Sequence, residues 1–176
     1  DLRFEAPPSA NANAWRKPGG RFVVPGAYQV RLTVGPQVHT QKLAVRLDPG
    51  VTIADADRAS LERLLARQEQ LLRAAEAADG TVQASVAQTA ALVKALEGAK
   101  AAPALIGEAR AAATEALRLQ VVLNGQDAGL AQQETFLPLK DLTQRLYMNT
   151  EEFTGAPDKA QLALTDVAAA GVDTLY

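Results

Sequence analysis

From Leu61 to Leu96, a mostly apolar set of side chains recurs at alternating intervals of four and three residues. The positions are Leu61, Leu65, Gln68, Leu72, Ala75, Asp79, Val82, Val86, Thr89, Val93 and Leu96. A repeat averaging 3.5 residues keeps one stripe of a helix turned toward a partner, and here it holds over five heptads. Leu64, Leu71 and Leu92 broaden the seam into the stripe of a bundle helix. Thr52-Ile53-Ala54-Asp55 has the form of a capping box at its start, with Asp in place of the usual Glu. The pattern predicts a helix running from there to about Glu97-Gly98. At ~1.5 Å per residue it spans roughly 65 Å. Asp79-Gly80 is its weak point, because glycine inside a helix costs about 1 kcal/mol relative to alanine. The seam nevertheless stays in phase across it.

A stripe of that length needs more than one short helix to cover it. Pro103 is a favoured first-turn residue and opens a second helix. Its stripe carries Leu105, Ile106, Ala109, Ala113, Ala116, Leu117, Gln120, Val121 and Leu123, and Asn124-Gly125 is a stop signal. Residues 125 to 136 read as a loop ordered by Leu130 and Phe136. A third helix is expected from Pro138 to Thr150, with Leu139, Leu142 and Leu146 on one face. Thr154-Gly155-Ala156-Pro157-Asp158 leads into a fourth, carrying Leu164, Val167, Gly171, Val172 and Leu175. That pattern continues to Tyr176 without a C-cap signal, and the chain begins at Asp1 rather than Met, so a mature product or an excised piece of a larger protein is expected. Antiparallel up-down packing of four helices is the economical arrangement. Any stripe left over would be buried by another chain or a further region.

The first fifty residues follow a different rule. Tyr28, Val30, Leu32 and Val34 alternate with Gln29, Arg31 and Thr33, which is the pattern of a half-buried strand. Gly35-Pro36-Gln37 makes a short connection to a second strand, from about Val38 to Leu47. There Leu43, Val45 and Leu47 share parity with His39 and Gln41. Together they predict a hairpin, with a further short strand at Leu2–Phe4. A lone hairpin is marginal in water, so its apolar face must be covered by helices, another sheet or another chain. The fold expected is therefore α+β and mostly α, with residues 1–50 a β region built on the hairpin and 51–176 a helical bundle.

Composition narrows the function classes. Net charge is −2 over 176 residues, which argues against a nucleic-acid or anionic-membrane surface. Residues 1–50 hold seven Lys/Arg against three Asp/Glu, and residues 51–176 hold eleven against seventeen. Aromatics make up 5% of the chain, so the core rests on Leu, Val and Ala. With no cysteine there is no disulfide, thiolate nucleophile or zinc-thiolate site. No apolar run is long enough to span a bilayer, and no signal-peptide pattern is present.

Candidate chemistry is thin. His39 is the only histidine and sits on a strand face shared with Leu43 and Val45, which favours a packed or hydrogen-bonded role over catalysis. Glu151-Glu152 and the Asp55/Asp57 pair are the closest approaches to a hard-cation site. Each lies near a helix end, where acids serve capping and dipole roles. Gly19-Gly20 and Gly125 lack a phosphate-loop context. Arg58, Arg63, Arg67 and Arg73 alternate with Glu62, Glu69 and Glu76, read as a solvated helix face. Trp15 and Tyr28 are better placed for packing or turn closure than for a ligand platform. The residues therefore nominate no catalytic, cofactor or metal site.

The run PGAYQVRLTV, then HTQKLAVRLDP, then TIADADRASLERLLARQEQL resembles the C-terminal region of bacterial sortilin/VPS10-like proteins. Those proteins carry BNR-type β-propellers and are often described as glycosyl hydrolases. In that family an immunoglobulin-like sandwich follows the propeller, ending in strands of the form PGxYxVxLxV and TxxLxVxxDPR, before a helical tail. Pro25, Gly26, Tyr28, Val30, Leu32, Val34, Thr40, Leu43, Val45, Asp48 and Pro49 match. Asp1-Leu2-Arg3 is similar to the family's W-D-L-R strand, and APDKAQ at 156–161 to the APTxxQ start of its last helix. Gly50 departs from the usual Arg, and Gly35-Pro36 from the usual D-G turn.

The resemblance implies a non-catalytic C-terminal accessory module in an extracytoplasmic protein, packing against an upstream propeller of the same polypeptide or against another chain. Any hydrolase site would lie in the propeller, so no site residue carries over to this chain. Two other readings stand beside it: a free-standing protein that dimerises through the long helix, and an enzyme with a carboxylate-only site.

Overall fold

The heptad stripe becomes a single helix that organises everything else. The computed structural model describes residues 2–8, 18–125 and 137–176. Among them lie two strands, β1 (Gly26–Val34) and β2 (Gln37–Val45), and four helices, α1 (Asp55–Gly98), α2 (Pro103–Asn124), α3 (Leu139–Glu151) and α4 (Lys159–Asp173). The fold is α+β and mostly α. Trp15, Leu130 and Phe136 lie outside the described residues.

α1 runs unbroken through Asp79-Gly80. Seam residues Leu61, Leu65, Gln68, Leu72, Ala75 and Val82 are buried, together with Leu64 and Ala78. Beyond Val82 the seam residues are only half-buried, and Leu92 is exposed. The predicted capping box at Thr52 does not form. The helix starts three residues later, with extended Ala54 as N-cap and no side-chain cap. Asp55 and Asp57 fall in the first turn, where carboxylates oppose the positive end of the helix dipole.

The change in burial along α1 follows from its partners. α2 lies antiparallel on the far half of α1, from the Arg110–Glu97 ion pair at 2.6 Å to the Asn124–Asp79 hydrogen bond at 2.8 Å. α3 is also antiparallel, placing Leu139 with Ala75, Ala78 and Val82, and Tyr147 with Leu61, Leu65 and Leu72. α4 runs parallel to α1, with Thr165 bonded to Gln68 at 2.9 Å and Tyr176 reaching the Ala74 carbonyl at 3.2 Å. α2 and α3 thus succeed one another along α1, so the four helices do not alternate strictly up and down. Residues 61–82 pack against α3 and α4, joined from Ala75 onward by Leu123 at the end of α2, while residues 83–98 have α2 as their helical neighbour. Two helices cannot enclose a stripe this wide, and Leu105, Leu117 and Val121 of α2 are exposed along with Leu92.

The predicted helix boundaries at Pro103 and Gly125 hold. Pro103 occupies the first turn, and Gly125 adopts φ 82° while its N–H donates to the Val121 carbonyl at 2.8 Å. α4 begins with a complete capping box: the Asp158 carboxylate accepts from the Gln161 N–H at 2.7 Å, and the Asp158 N–H donates to the Gln161 side chain at 3.0 Å. α4 stops at Asp173 rather than continuing to Tyr176. Thr174 is the C-cap, and its N–H bonds back to Gly171.

The predicted hairpin forms, with Tyr28 opposite Leu43, Val30 opposite Gln41 and Leu32 opposite His39, and β2 ends at Val45, so Leu47 falls outside the strand expected to hold it. Gly35-Pro36 is a two-residue loop. Gly35 takes φ 57°, which supplies the positive φ that such tight connections require at their first position. The expected short strand at Leu2–Phe4 is a single bridge, Arg3 to Phe22. Hydrogen bonds flank it, from Phe4 N–H to the Arg21 carbonyl and from Val23 N–H to the Leu2 carbonyl. This bridged strap (2–5 and 18–23) lies on the helical body, whereas the hairpin that follows does not.

Candidate functional site

Every residue of β1 is exposed, and in β2 only Val45 is half-buried. Both strands nevertheless keep a clean division of faces. Tyr28, Val30, Leu32, Val34, Leu43 and Val45 share one face with Gln37, His39 and Gln41, and Ala27, Gln29, Arg31, Thr33, Val38, Thr40, Lys42 and Ala44 share the other. Tyr28 and Leu43 are 37% exposed, Val30 51% and Leu32 59%. Among the described residues nothing provides the cover that the alternation demands. His39 is exposed opposite Leu32 and is not packed as the alternation suggested. The Tyr28 hydroxyl donates to the Val24 carbonyl at 2.5 Å, pinning the base of the hairpin.

The strap holds that base to the helices through charge. The Arg3 guanidinium donates to Glu151 and to the Gly20 carbonyl, and the Gly19 N–H donates to Glu151 at 3.2 Å. Arg21 pairs with Glu69 at 2.9 Å, and Arg73 bonds both Glu69 and the Glu5 carbonyl. The bridge is doubled by two stacked cations, Arg3 over the Phe22 ring and Arg21 over the Phe4 ring, at 3.8 and 4.1 Å. The Tyr147 hydroxyl, on a side chain wholly inside the body, donates to the Gly19 carbonyl at 2.8 Å. Burial and the neighbouring Glu151 and Glu69 push that phenol up to about 12, so it stays a neutral donor. Gly20 is glycine because any Cβ there would overlap the Phe4 carbonyl oxygen.

Glu62, Glu69 and Glu76 correct the reading of a solvated face. They stand seven residues apart, each directly following a buried seam residue, and all three are half-buried. Glu69 takes the predicted i,i+4 pair with Arg73 but also receives the strap. Glu76 meets Lys140 of α3 at 3.5 Å, and Asp79 meets the same ammonium at 2.7 Å. Burial alone would lower the Lys140 pKa, but these two carboxylates outweigh it and raise it. Asp79 moves the opposite way. Burial would raise its pKa, yet hydrogen bonds from Lys140, Asn124 and Gln83 hold it below the usual range. Burial lifts the Glu62 carboxyl above its ordinary value, partly offset by Arg21 and Arg58, and its Oε2 has no partner among the described residues. The sequence clue to this row was the strict spacing of seven beside the seam. Its partners, far away in sequence, could not be seen.

These arrangements tie the strap and α3 to α1. Glu151 is committed to Arg3 and Gly19, and Asp55 to Arg58 at 2.9 Å. A groove of about 420 Å³ where Asp57 and Arg63 of α1 approach Pro157 and Leu162 is open. Its cations are engaged, Arg63 with Ser60 and Arg67 with Asp166. Among the described residues no three His, Asp or Glu side chains converge as metal ligands, and no helix is long and apolar enough to cross a membrane. Comparison with protein families, with curated proteins and with solved structures returned no match.

Proposed function

We propose that this chain is a non-catalytic accessory module of a larger, extracytoplasmic sortilin-like β-propeller protein. In it the helical body is a rigid base and the hairpin is the attachment point for further β-structure. The observation that carries the proposal is the hairpin's apolar face, formed in register yet left exposed by the chain's own helices. An isolated two-stranded ribbon with such a face is marginal in water and gains stability once a second layer or further strands cover it. The strap fixes where the ribbon leaves the body, which suits a joint between two parts of a polypeptide. The family resemblance supplies the propeller as the neighbour.

The test compares Leu32→Lys in two settings, the chain alone and the full gene product. In the chain alone the change falls on an exposed position and alters stability by no more than about 0.5 kcal/mol. In the full product it is expected to lower the melting temperature or release the helical module to proteolysis. Equal tolerance in both settings rules the attachment role out.

A second reading has its own support. Leu92, Leu105, Leu117 and Val121 are exposed on the two-helix end of α1 and α2, as a helical dimerisation surface would require. Light scattering over a range of concentrations tests it, and a folded, strictly monomeric chain excludes it.

A further inference from the structure

We propose that the strand extending this hairpin alternates apolar and acidic residues, so that its carboxylates meet Arg31 and Lys42 while its apolar side continues the face of Tyr28, Val30 and Leu32. The inference rests on the attachment reading above and adds the chemistry of the partner.

The charge pattern is one-sided. Between Glu5 and Asp48 the sequence contains no Asp or Glu, while Arg31, Lys42 and Arg46 all fall in or beside the hairpin. The register places Gln29 opposite Lys42 and Arg31 opposite Thr40, so Arg31 and Lys42 are diagonal neighbours on the polar face. Like charges at that separation repel. Among the described residues neither one enters an ion pair. The hairpin thus presents an uncompensated cationic face on one side and an uncovered apolar face on the other.

Its edges are open as well. In a hairpin closed by a two-residue loop, the pair beside the loop exchanges hydrogen bonds and alternate residues turn their N–H and C=O outward. The outward groups belong to Ala27, Gln29, Arg31 and Thr33 on β1, and to Val38, Thr40, Lys42 and Ala44 on β2. No proline interrupts either strand. A strand added to such an edge has period two, so its side chains divide between the same two faces. Apolar residues would continue one face and carboxylates would neutralise the other. A second copy of this hairpin is a poor occupant, because edge-to-edge pairing would gather two Arg31 and two Lys42 on one sheet face with no acid among them.

The experiment titrates the whole chain with fluorescent nine-residue peptides, capped at both ends. One alternates valine with glutamate, one alternates valine with lysine, and one holds the valines and glutamates of the first in scrambled order. The acidic alternating peptide is expected to bind at least tenfold more tightly than either of the others. The double variant R31E/K42E is expected to reverse the preference in favour of the lysine peptide. Weaker binding of the acidic peptide with rising salt is expected too. Equal binding of the two alternating peptides, or an unchanged preference in the double variant, overturns the charge inference and leaves the attachment reading intact. If no peptide binds at millimolar concentration, strand addition itself is overturned, and the Leu32→Lys comparison then decides the attachment reading separately.

Discussion

Gln68 sits in the middle of the α1 seam with a polar amide among leucines, and its hydrogen bonds predict an unequal response to mutation. Its Nε2 donates to the Thr165 hydroxyl at 2.9 Å, and that hydroxyl donates onward to the Gln161 carbonyl at 2.7 Å. Gln68 Oε1 is buried without a partner among the described residues, and both side chains are essentially inaccessible. Thr165→Val removes the acceptor and leaves the whole amide unpartnered, at a cost of about 1–3 kcal/mol. Gln68→Leu removes the unsatisfied oxygen and places an apolar residue between Leu65 and Leu72, while Thr165 keeps its bond to Gln161. That variant is expected to be neutral or up to about 1 kcal/mol more stable. With the amide gone, adding Thr165→Val should cost little, so the pair should couple by about 1–2 kcal/mol. Urea unfolding followed by helical circular dichroism reads this directly. At a slope of about 1–3 kcal/mol/M, Thr165→Val should lower the midpoint by roughly 1 M. A Gln68→Leu variant that loses 2 kcal/mol or more would refute the reasoning, because the amide would then be fully satisfied in the folded protein.

Three further outcomes follow from the same contacts. Gly20→Ala should detach the strap from the body, seen as rapid proteolysis after Arg21 while the helical spectrum is kept, because the new methyl collides with the Phe4 carbonyl. Asp79 has a depressed pKa in the fold, so its contribution is present above its ordinary value of 3.8 and is lost as pH falls through the folded value. Asp79→Asn should therefore destabilise the chain at pH 7 and flatten the acid limb of its stability profile in urea melts. Glu62 is shifted upward, so its ionised form is a liability at neutral pH that protonation relieves. Glu62→Gln should raise stability at pH 7, with the gain disappearing as pH drops below its ordinary 4.5.

Much of the architecture was legible because it is written at short range. The seam from Leu61 to Val82 names the buried side of α1 almost residue by residue, and the alternation from Tyr28 to Val34 divides the faces of β1. Pro103, Gly125 and Asp158 mark helix boundaries through local backbone chemistry. What sequence could not show was long-range pairing. Arg3 meets Glu151 and Arg21 meets Glu69 across distances that no periodicity encodes, so the docking of the Leu2–Phe4 segment onto the helices was not visible. Glu69 and Glu76 looked solvated because Arg73 beside them on α1 was visible and their distant partners Arg21 and Lys140 were not. Thr52 failed as a cap because a matching motif does not oblige the chain to enter helical geometry there, and Ala54 does so without any side-chain help. The hairpin's exposure was unforeseen, since alternation shows that a face requires cover without saying which chain supplies it.

Residue-resolved hydrogen exchange on the isolated chain tests the central claim most directly. If the hairpin is an attachment element left open by its own helices, amides from Gly26 to Val45 should exchange orders of magnitude faster than those around Gln68 and Leu72 in α1. Protection of Val30 and Leu32 equal to that of Leu72 would show that the chain covers its own hairpin, and the account of it as a joint to further β-structure would be wrong.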